Sequence, residues 1–503
     1  MCGIIGSFPI QDTEHVRQGL ARMAHRGPDA QQQVQTRRAA LGHTRLAILD
    51  VAEGHQPMTD GQRWIIFNGE IYNFQQLRRK LRGPFRTRSD TEVLLRAYAA
   101  YGPAMVNHLD GMFALAIQDG EDLFLARDPL GIKPLYTAAV DGRIYFASEI
   151  KALMPVSTAV SEFPPGFTWH SRHGFRQYFP LEKLKQPPKP AHPEPGQGDY
   201  QAIYEQLLAA VNKRLIADHG VPVGISLSGG LDSSIIVALA RQGRERLDTF
   251  VVGIAGGEDL PASQQVAEYL GTHHRAYIYT FEEMLAVLPE VIYYLESYDA
   301  ALVRSAIPNY FLARLASDHV KVILSGEGAD ELFAGYEYLY PLEDPGRLHA
   351  ELWQMLAVLH NTNLQRTDRM TMAHSIEGRV PFLDQQMVEL AFRLPPQWKL
   401  RRKNRAEKDL LRRSFAGILP EAILQRPKKK FSHGAGSGNL LAEYANQTIS
   451  DAQFERESAQ ARAVGLRSKE ELMYYRIFRS HFGERIDPDV IGRTRSVTAE
   501  ELQ

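Results

Sequence analysis

The sequence predicts two unlike units in one chain of 503 residues: an antiparallel α+β unit, then an α/β unit built on a parallel sheet. Three observations carry this expectation. The segment LKQPPKPAHPEPGQGDY, residues 184–200, is rich in proline and glycine and lacks apolar periodicity, which reads as an extended, semi-rigid connector. Ahead of it, RWIIFNGEIYNF, MFALAIQDGEDLFLARD and RIYFASEI set Ile, Phe, Tyr and Val runs between Gly, Asp or Asn, the mark of antiparallel strands. Behind it, VPVGISLS and VKVILSG are short, nearly all-apolar runs beside the helical stretches SSIIVALARQG and IPNYFLARLAS, the βα alternation of a doubly wound sheet. The expected division is 1–184, a connector at 185–199, and 200–503. The length alone calls for more than one core.

In chain order, helices are expected near 12–24 and 90–101 among the strands of the first unit, and mainly helix from about 348 onward. The formal net charge is −1 with no long run of like charge. A sequence-independent nucleic-acid binder needs a basic face, so no nucleic-acid partner is expected; QRPKKKF, 425–431, is the exception to explain. One cysteine excludes an intramolecular disulfide framework and suits a reducing compartment. No apolar run reaches membrane-spanning length, and MCGIIGSFPIQDTE turns polar too early for a signal peptide. No membrane partner and a cytoplasmic location are the resulting expectations.

That single cysteine is Cys2, behind the initiator methionine. Removal of Met1 would place a thiol and a free α-amine on one residue. The amine, with a pKa of roughly 7.7–8.0, can accept the thiol proton near neutrality. A small buried hydrophobe is the alternative use of a lone cysteine.

The strongest local signal is GISLSGGLDSSIIVALA, 224–240. A β run ends at Leu227, and Ser228, Gly229, Gly230, Leu231, Asp232, Ser233 and Ser234 turn into a helix. Glycines let the backbone approach a phosphate and the first amides of the helix point at the anion. Asp232 would repel bare phosphate and so implies a bridging Mg²⁺. The string is not the Walker pattern, since no Gly-Lys-Ser/Thr occurs. It matches the pyrophosphate loop of the N-type ATP pyrophosphatases. A second turn, VKVILSGEGADELFAGY at 320–336, sets Ser325, Gly326, Glu327, Asp330 and Glu331 at the end of another strand, where open α/β sheets bind ligands. Carboxylates there would otherwise only complement the helix dipole, worth about 0.3–1 kcal/mol.

With MCGI, HRGPD (25–29), RLAILD (45–50), NGEIYN (68–73), RSDTEV (88–93), LDGMFA (109–114), RDPLGIKPLY (127–136), SGGLDSS, LSGEGADELFAGY and EGRVPFLD (377–384) in this order, the chain resembles the glutamine-hydrolysing asparagine synthetases, most closely the bacterial B type. The resemblance implies a class II glutaminase of the Ntn-hydrolase αββα type at 1–184, and an adenine-nucleotide hydrolase-like synthetase with added helices at 200–503. It implies glutamine, aspartate and ATP as substrates, Mg²⁺ as cofactor, a β-aspartyl-AMP intermediate, ammonia passed between the units, and a homodimer.

The resemblance also assigns residues. Cys2 would be the nucleophile, with Asn68 and Gly69 as oxyanion donors; Asn-Gly equally reads as a hairpin turn. Arg45 would hold the glutamine carboxylate, a task suited to a planar guanidinium. Asp90 would meet the substrate ammonium, although Ser-Asp ahead of a helix also reads as an N-cap, and Glu70 would help hold glutamine. No role follows for His25. Leu227, Val252, Ser325 and Gly326 would face adenosine. Ser228, Gly229, Gly230, Asp232, Ser233 and Ser234 would cradle pyrophosphate, with Asp232 and Asp330 on the metal. Glu327 would serve formation of the acyl-adenylate, and Lys428 would meet the α-phosphate, which gives the basic cluster a task. ESYDAALVRSAIPNY, 296–310, resembles the segment lining the passage between the sites. Competing readings are an amidotransferase acting on a different carboxylate, a nucleotide-binding scaffold without catalysis, and a phosphoribosyl or sugar-phosphate amidotransferase sharing only the first unit.

Overall fold

Alternation with period two builds the first unit. In the computed structural model, which describes all residues except 1, 11, 190–191, 403–404, 428–433, 437, 484–485 and 496–503, two six-stranded antiparallel sheets stack face to face. Strands β1 (Gly3–Phe8), β2 (Ala30–Gln35), β3 (Ala40–Arg45), β8 (Tyr136–Val140), β9 (Arg143–Ala147) and β10 (Ser161–Glu162) form one, in the order β10-β8-β9-β1-β3-β2. Strands β4 (Met58–Thr59), β5 (Arg63–Ile71), β6 (Gly111–Asp119), β7 (Asp122–Arg127), β11 (Phe167–His170) and β12 (Gly174–Gln177) form the other, in the order β12-β11-β7-β6-β5-β4. Ile66, Ala114 and Ala116 point between the sheets with Ile4, Leu41 and Phe146. Their neighbours Ile65, Phe67, Leu115 and Ile117 point outward, against α2 (Phe74–Lys80) and α3 (Asp90–Tyr101). Helix α1 (Thr13–Arg22) and the short α4 (Ile150–Leu153) cover the other outer face, through Val16, Leu20 and Leu153. Every residue of β1 is therefore buried. The arrangement is the αββα sandwich expected; α2, too short to show a period, was not foreseen.

The second unit opens with α5 (Gln197–Arg214). Its parallel sheet contains β13 (Val223–Ser226), β14 (Asp248–Gly253), β15 (His273–Ile278), β16 (Val322–Leu324) and β17 (Glu377–Arg379) in the order β15-β14-β13-β16-β17. Helices α6 (Leu231–Arg241), α7 (Asp259–Leu270), α8 (Phe281–Leu295) and α9 (Ala300–Ser317) alternate with the strands. The remaining helices include α10 (Ala329–Phe333), α11 (Pro345–Ala357), α12 (Asn363–Met372), α13 (Gln385–Arg393) and α14 (Asp409–Ser414). The chain leaves β13 for one side of the sheet and returns to β16 on the other, which makes the β13/β16 boundary the switch point where such sheets bind ligands.

The proline-rich connector is pinned along the second unit rather than spanning open space. His192 stacks on Trp398, Trp398 Nε1 donates to the Pro193 carbonyl, and Glu194 pairs with Arg405. Helix α5 begins at Gln197, inside the stretch read as connector. The two units also share apolar cores: Leu46, Ile48, Met112 and Leu130 of the first pack in one cluster with Ile225, Leu227 and Leu332 of the second.

Candidate active sites

Cys2 precedes β1, and Asn68 lies on β5 of the opposite sheet; Cys2 N donates to Asn68 Oδ1 at 3.1 Å. In the translated chain this nitrogen is an amide, and loss of Met1 converts it to the amine. With Oδ1 engaged, Asn68 Nδ2 is a buried donor with no partner, and Gly69 is next along the strand. Asn68 and Gly69 are not a hairpin turn. They sit mid-strand opposite Ala114 and Phe113. Gly69 takes φ +155°, and a Cβ there would stand 2.0 Å from the Met112 carbonyl oxygen, so only glycine fits. Burial pushes the Cys2 thiol up, with a hydrogen bond from the Leu46 backbone opposing it.

Cys2, Gly69, Arg45, Glu70 and Asp90 line one pocket, and Glu377 of the second unit completes its wall. Arg45 is held by the carbonyls of Asp50 and Val51 at 2.7 and 3.0 Å. The helix cap is Ser89, which accepts from Thr91 N, so the N-cap reading does not hold for Asp90; its carboxylate accepts from Ile71 N at 3.1 Å. Burial, with the Glu377 charge nearby, lifts the Asp90 pKa to about 7. Glu70 is pushed well above its usual range by burial, although Arg379 Nη2 lies 3.0 Å from its Oε2. Arg379 also pairs with Glu377 at 2.6 Å, and although burial acts to raise the Glu377 pKa, the surrounding positive charges, Arg379 foremost, together hold it at about 2.

Glu377 and Arg379 received no role from the sequence. Both lie in EGRVPFLD, and their i, i+2 spacing on a short strand puts both side chains on one face. The HRGPD loop also acquires a function. Arg26 Nε donates to the Cys2 carbonyl at 3.0 Å, and Arg26 Nη1 pairs with Glu149 at 2.7 Å and with Asp368 of α12 at 2.8 Å. Ser375 donates to the His25 carbonyl, and Lys321 pairs with Asp29 at 2.8 Å. The loop ties Cys2 to the second unit.

The second centre lies at the switch point. The loop after β13 carries Ser228, Gly229 and Gly230, with Asp232, Ser233 and Ser234 at the start of α6; the loop after the adjacent β16 carries Ser325, Gly326 and Glu327, with Asp330 at the start of α10. The loops touch: a Cβ on Gly326 would lie 2.8 Å from Asp232 Cβ and 3.0 Å from Ser233 N. Ser233 Oγ is 3.2 Å from Ser228 Oγ, whereas Ser234 Oγ donates back to the Gly230 carbonyl at 2.8 Å and shapes the turn. Leu227 and Val252 are buried at the carboxyl ends of β13 and β14. Ser325 N donates to the Arg379 carbonyl at 3.0 Å, and Ser325 Oγ is a buried hydroxyl without a partner. Glu327 is clasped by Arg366 of α12, whose Nη1 donates to Ser305 Oγ at 3.1 Å. Lys408 Nζ lies 2.6 Å from Asp232 Oδ2 and 2.5 Å from Asp330 Oδ1. Lys428 falls outside the described residues, but Arg426, two positions earlier, donates to the Ser228 carbonyl at 3.1 Å.

Asp232 and Asp330 thus converge on a single cation position. Among the described residues no group of three or more His, Cys, Asp or Glu side chains is placed to hold a metal unaided. Two carboxylates completed by substrate phosphates are the usual setting for Mg²⁺, so the donor set fits that ion. No helix among the described residues is long and apolar enough to cross a membrane.

Comparison with known proteins finds two families matched in turn along the chain. The glutamine amidotransferase domain family matches residues 1–182, and the asparagine synthase family matches 202–345 and 340–499. Asparagine synthetase B [glutamine-hydrolyzing] of Escherichia coli K12 is 38% identical, over 96% of this chain and 91% of its own. A probable asparagine synthetase [glutamine-hydrolyzing] of Schizosaccharomyces pombe is 37% identical, over 90% and 88%. Asparagine synthetase [glutamine-hydrolyzing] 2 of Arabidopsis thaliana is 36% identical, over 96% and 88%.

Proposed function

The chain belongs to the glutamine-hydrolysing asparagine synthetases, and on that premise we propose how its residues divide the work. It is a ligase that makes asparagine with glutamine as nitrogen donor. The division of domains proposed is 1–184 for glutamine hydrolysis and 200–503 for ATP-dependent synthesis.

In the first centre the Cys2 thiol attacks the glutamine carboxamide carbon and its own α-amine takes the proton. The oxyanion forms against Asn68 Nδ2 and Gly69 N–H, donors of the kind worth about 2.7–4 kcal/mol each. Arg45 holds the substrate carboxylate and Asp90 the ammonium, with Glu70 beside them. Collapse expels ammonia and leaves a thioester, which water hydrolyses to glutamate and free thiol. In the second centre the ATP lies over Leu227, Val252, Ser325 and Gly326, with its phosphates on the 228–234 loop. Asp232 and Asp330 would hold Mg²⁺, whose charge shields the pyrophosphate leaving group. The aspartate β-carboxylate attacks the α-phosphorus and pyrophosphate departs. Ammonia then attacks the acyl carbon, giving asparagine and AMP, with Glu327 and Lys428 assigned to this centre.

Ammonia that escaped into neutral water would be protonated and lose its nucleophilic lone pair, so a shielded path between centres is part of the proposal. The observation that carries it is helix α12. Its Asp368 engages Arg26, which grips Cys2, while its Arg366 clasps Glu327. One helix therefore touches both centres. A cytoplasmic location and a homodimer complete the reading, the latter measurable by sedimentation.

The test is Cys2→Ala. Glutamine-dependent asparagine formation should vanish while ammonia-dependent formation continues at the parent rate. Loss of both in a folded variant would refute the division of labour.

A further inference from the structure

Lys408 was not singled out by sequence, and its placement is unusual. It adopts φ 55°, ψ 30° immediately ahead of α14, a left-handed conformation that costs a residue with a Cβ of order 1–3 kcal/mol. Its side chain is buried, with its ammonium between Asp232 and Asp330. Gly335 makes room for this clasp. A Cβ at 335 would stand 2.1 Å from Lys408 Cε and 2.0 Å from Asp330 Oδ1. A strained backbone, a glycine gap and carboxylates from the first turns of two separate helices all serve one amine.

Resting on the reading of Asp232 and Asp330 as the metal-binding pair, we infer that Lys408 is a resident counter-ion. It closes the metal position to free divalent cations and yields it only to metal that arrives with nucleotide, when its ammonium passes to the phosphates. Two partly buried carboxylates converging on one point repel each other unless a cation sits between them. The tethered ammonium supplies that charge at high local concentration. A free divalent ion must shed water and also strand a buried lysine without a counter-charge, which is costly. A metal–ATP complex brings anionic phosphates to the same place, so the displaced ammonium gains a new partner.

The experiment uses Mn²⁺ as probe, read by electron paramagnetic resonance on the full chain with and without ATP. Wild type should bind free Mn²⁺ weakly and Mn²⁺ with ATP tightly. Lys408→Met should bind free Mn²⁺ roughly tenfold or more tighter than wild type, and Mn²⁺–ATP roughly tenfold weaker. Gly335→Ala keeps the lysine but displaces it, and should likewise open the site to free Mn²⁺. Equal free-Mn²⁺ affinities in wild type and both variants, with wild type still binding Mn²⁺–ATP, overturns the role of Lys408 alone. Failure of wild type to take up Mn²⁺ even with ATP overturns the metal reading and this inference together.

Discussion

Arg379 Nη2 and Glu70 Oε2 lie 3.0 Å apart, and with this contact the parallel sheet of the second unit reaches the wall of the pocket around Cys2. The same residue's carbonyl receives Ser325 N–H at 3.0 Å, at the root of the nucleotide loop. Strand β17 is thus shared by both centres. Replacing Arg379 by Met removes the cation from two fully buried carboxylates, Glu70 and Glu377, a change that typically costs about 3–5 kcal/mol. Urea unfolding of Arg379→Met should show that loss, and the glutamine KM should rise more than the ATP KM.

Asn68→Ala deletes the unpartnered Nδ2 without touching the second centre. Glutamine hydrolysis should fall by about 10²–10³ in kcat, while ammonia-dependent synthesis is unchanged. Steady-state assays with each nitrogen source check this. Equal loss of both rates would place Asn68 in the fold rather than in catalysis.

Asp90 predicts a pH dependence. Its pKa is raised from the usual carboxyl range to about 7, so the folded state holds its proton up to that pH while the unfolded chain has released it. Stability contributed by this group is therefore lost as pH rises from about 4 to 7. Glutamine binding works in the opposite sense, since the substrate ammonium favours the ionised form. The glutamine KM should rise as pH falls below about 7, with proton release on binding measurable by calorimetry in buffers of different ionisation enthalpy. Asp90→Asn should abolish the release and flatten the profile.

Lys399 offers a stability test remote from both sites. Its Nζ donates to the Ala391 carbonyl at 2.6 Å in a buried setting, and burial lowers its pKa to about 7. Above its unfolded value of 10.5 both states are neutral; as pH drops toward 7 the unfolded chain protonates first and stability falls. Lys399→Met should gain on wild type by at most about 1.4 kcal/mol per pH unit across that window and level off below it. Chemical denaturation at pH 6, 8 and 10 gives the comparison.

Sequence reading succeeded where the chemistry is contiguous. Cys2 at the amino terminus and the 228–234 turn each keep nucleophile or phosphate donors within a few residues, so spacing alone exposes them. The strands of the first unit were legible because Ile65, Ile66 and Phe67 alternate between two buried faces. Asn68-Gly69 was ambiguous because the same dipeptide serves a hairpin and a mid-strand glycine pressed against Met112. The role of Arg379 was hidden because its partner Glu70 is 309 positions away. Arg366, Asp368 and Lys408 were missed for the same reason: in sequence each is an unremarkable charge, and only packing supplies its opposite. Ser89 and Asp90 could not be told apart as caps in the sequence; the hydrogen bond from Thr91 N to Ser89 Oγ separates them.

Because Glu377 closes the pocket around Cys2 from the far side of the proline-rich stretch, the two halves can be cut apart in the gene but not in the molecule. A fragment ending near residue 184 would keep its thiol and lose one side of its substrate chamber. Glu70 and Asp29 would lose Arg379 and Lys321, and Arg26 would keep Glu149 but lose Asp368. On the proposed assignment of the Cys2 centre, glutamine hydrolysis is a joint property of both halves.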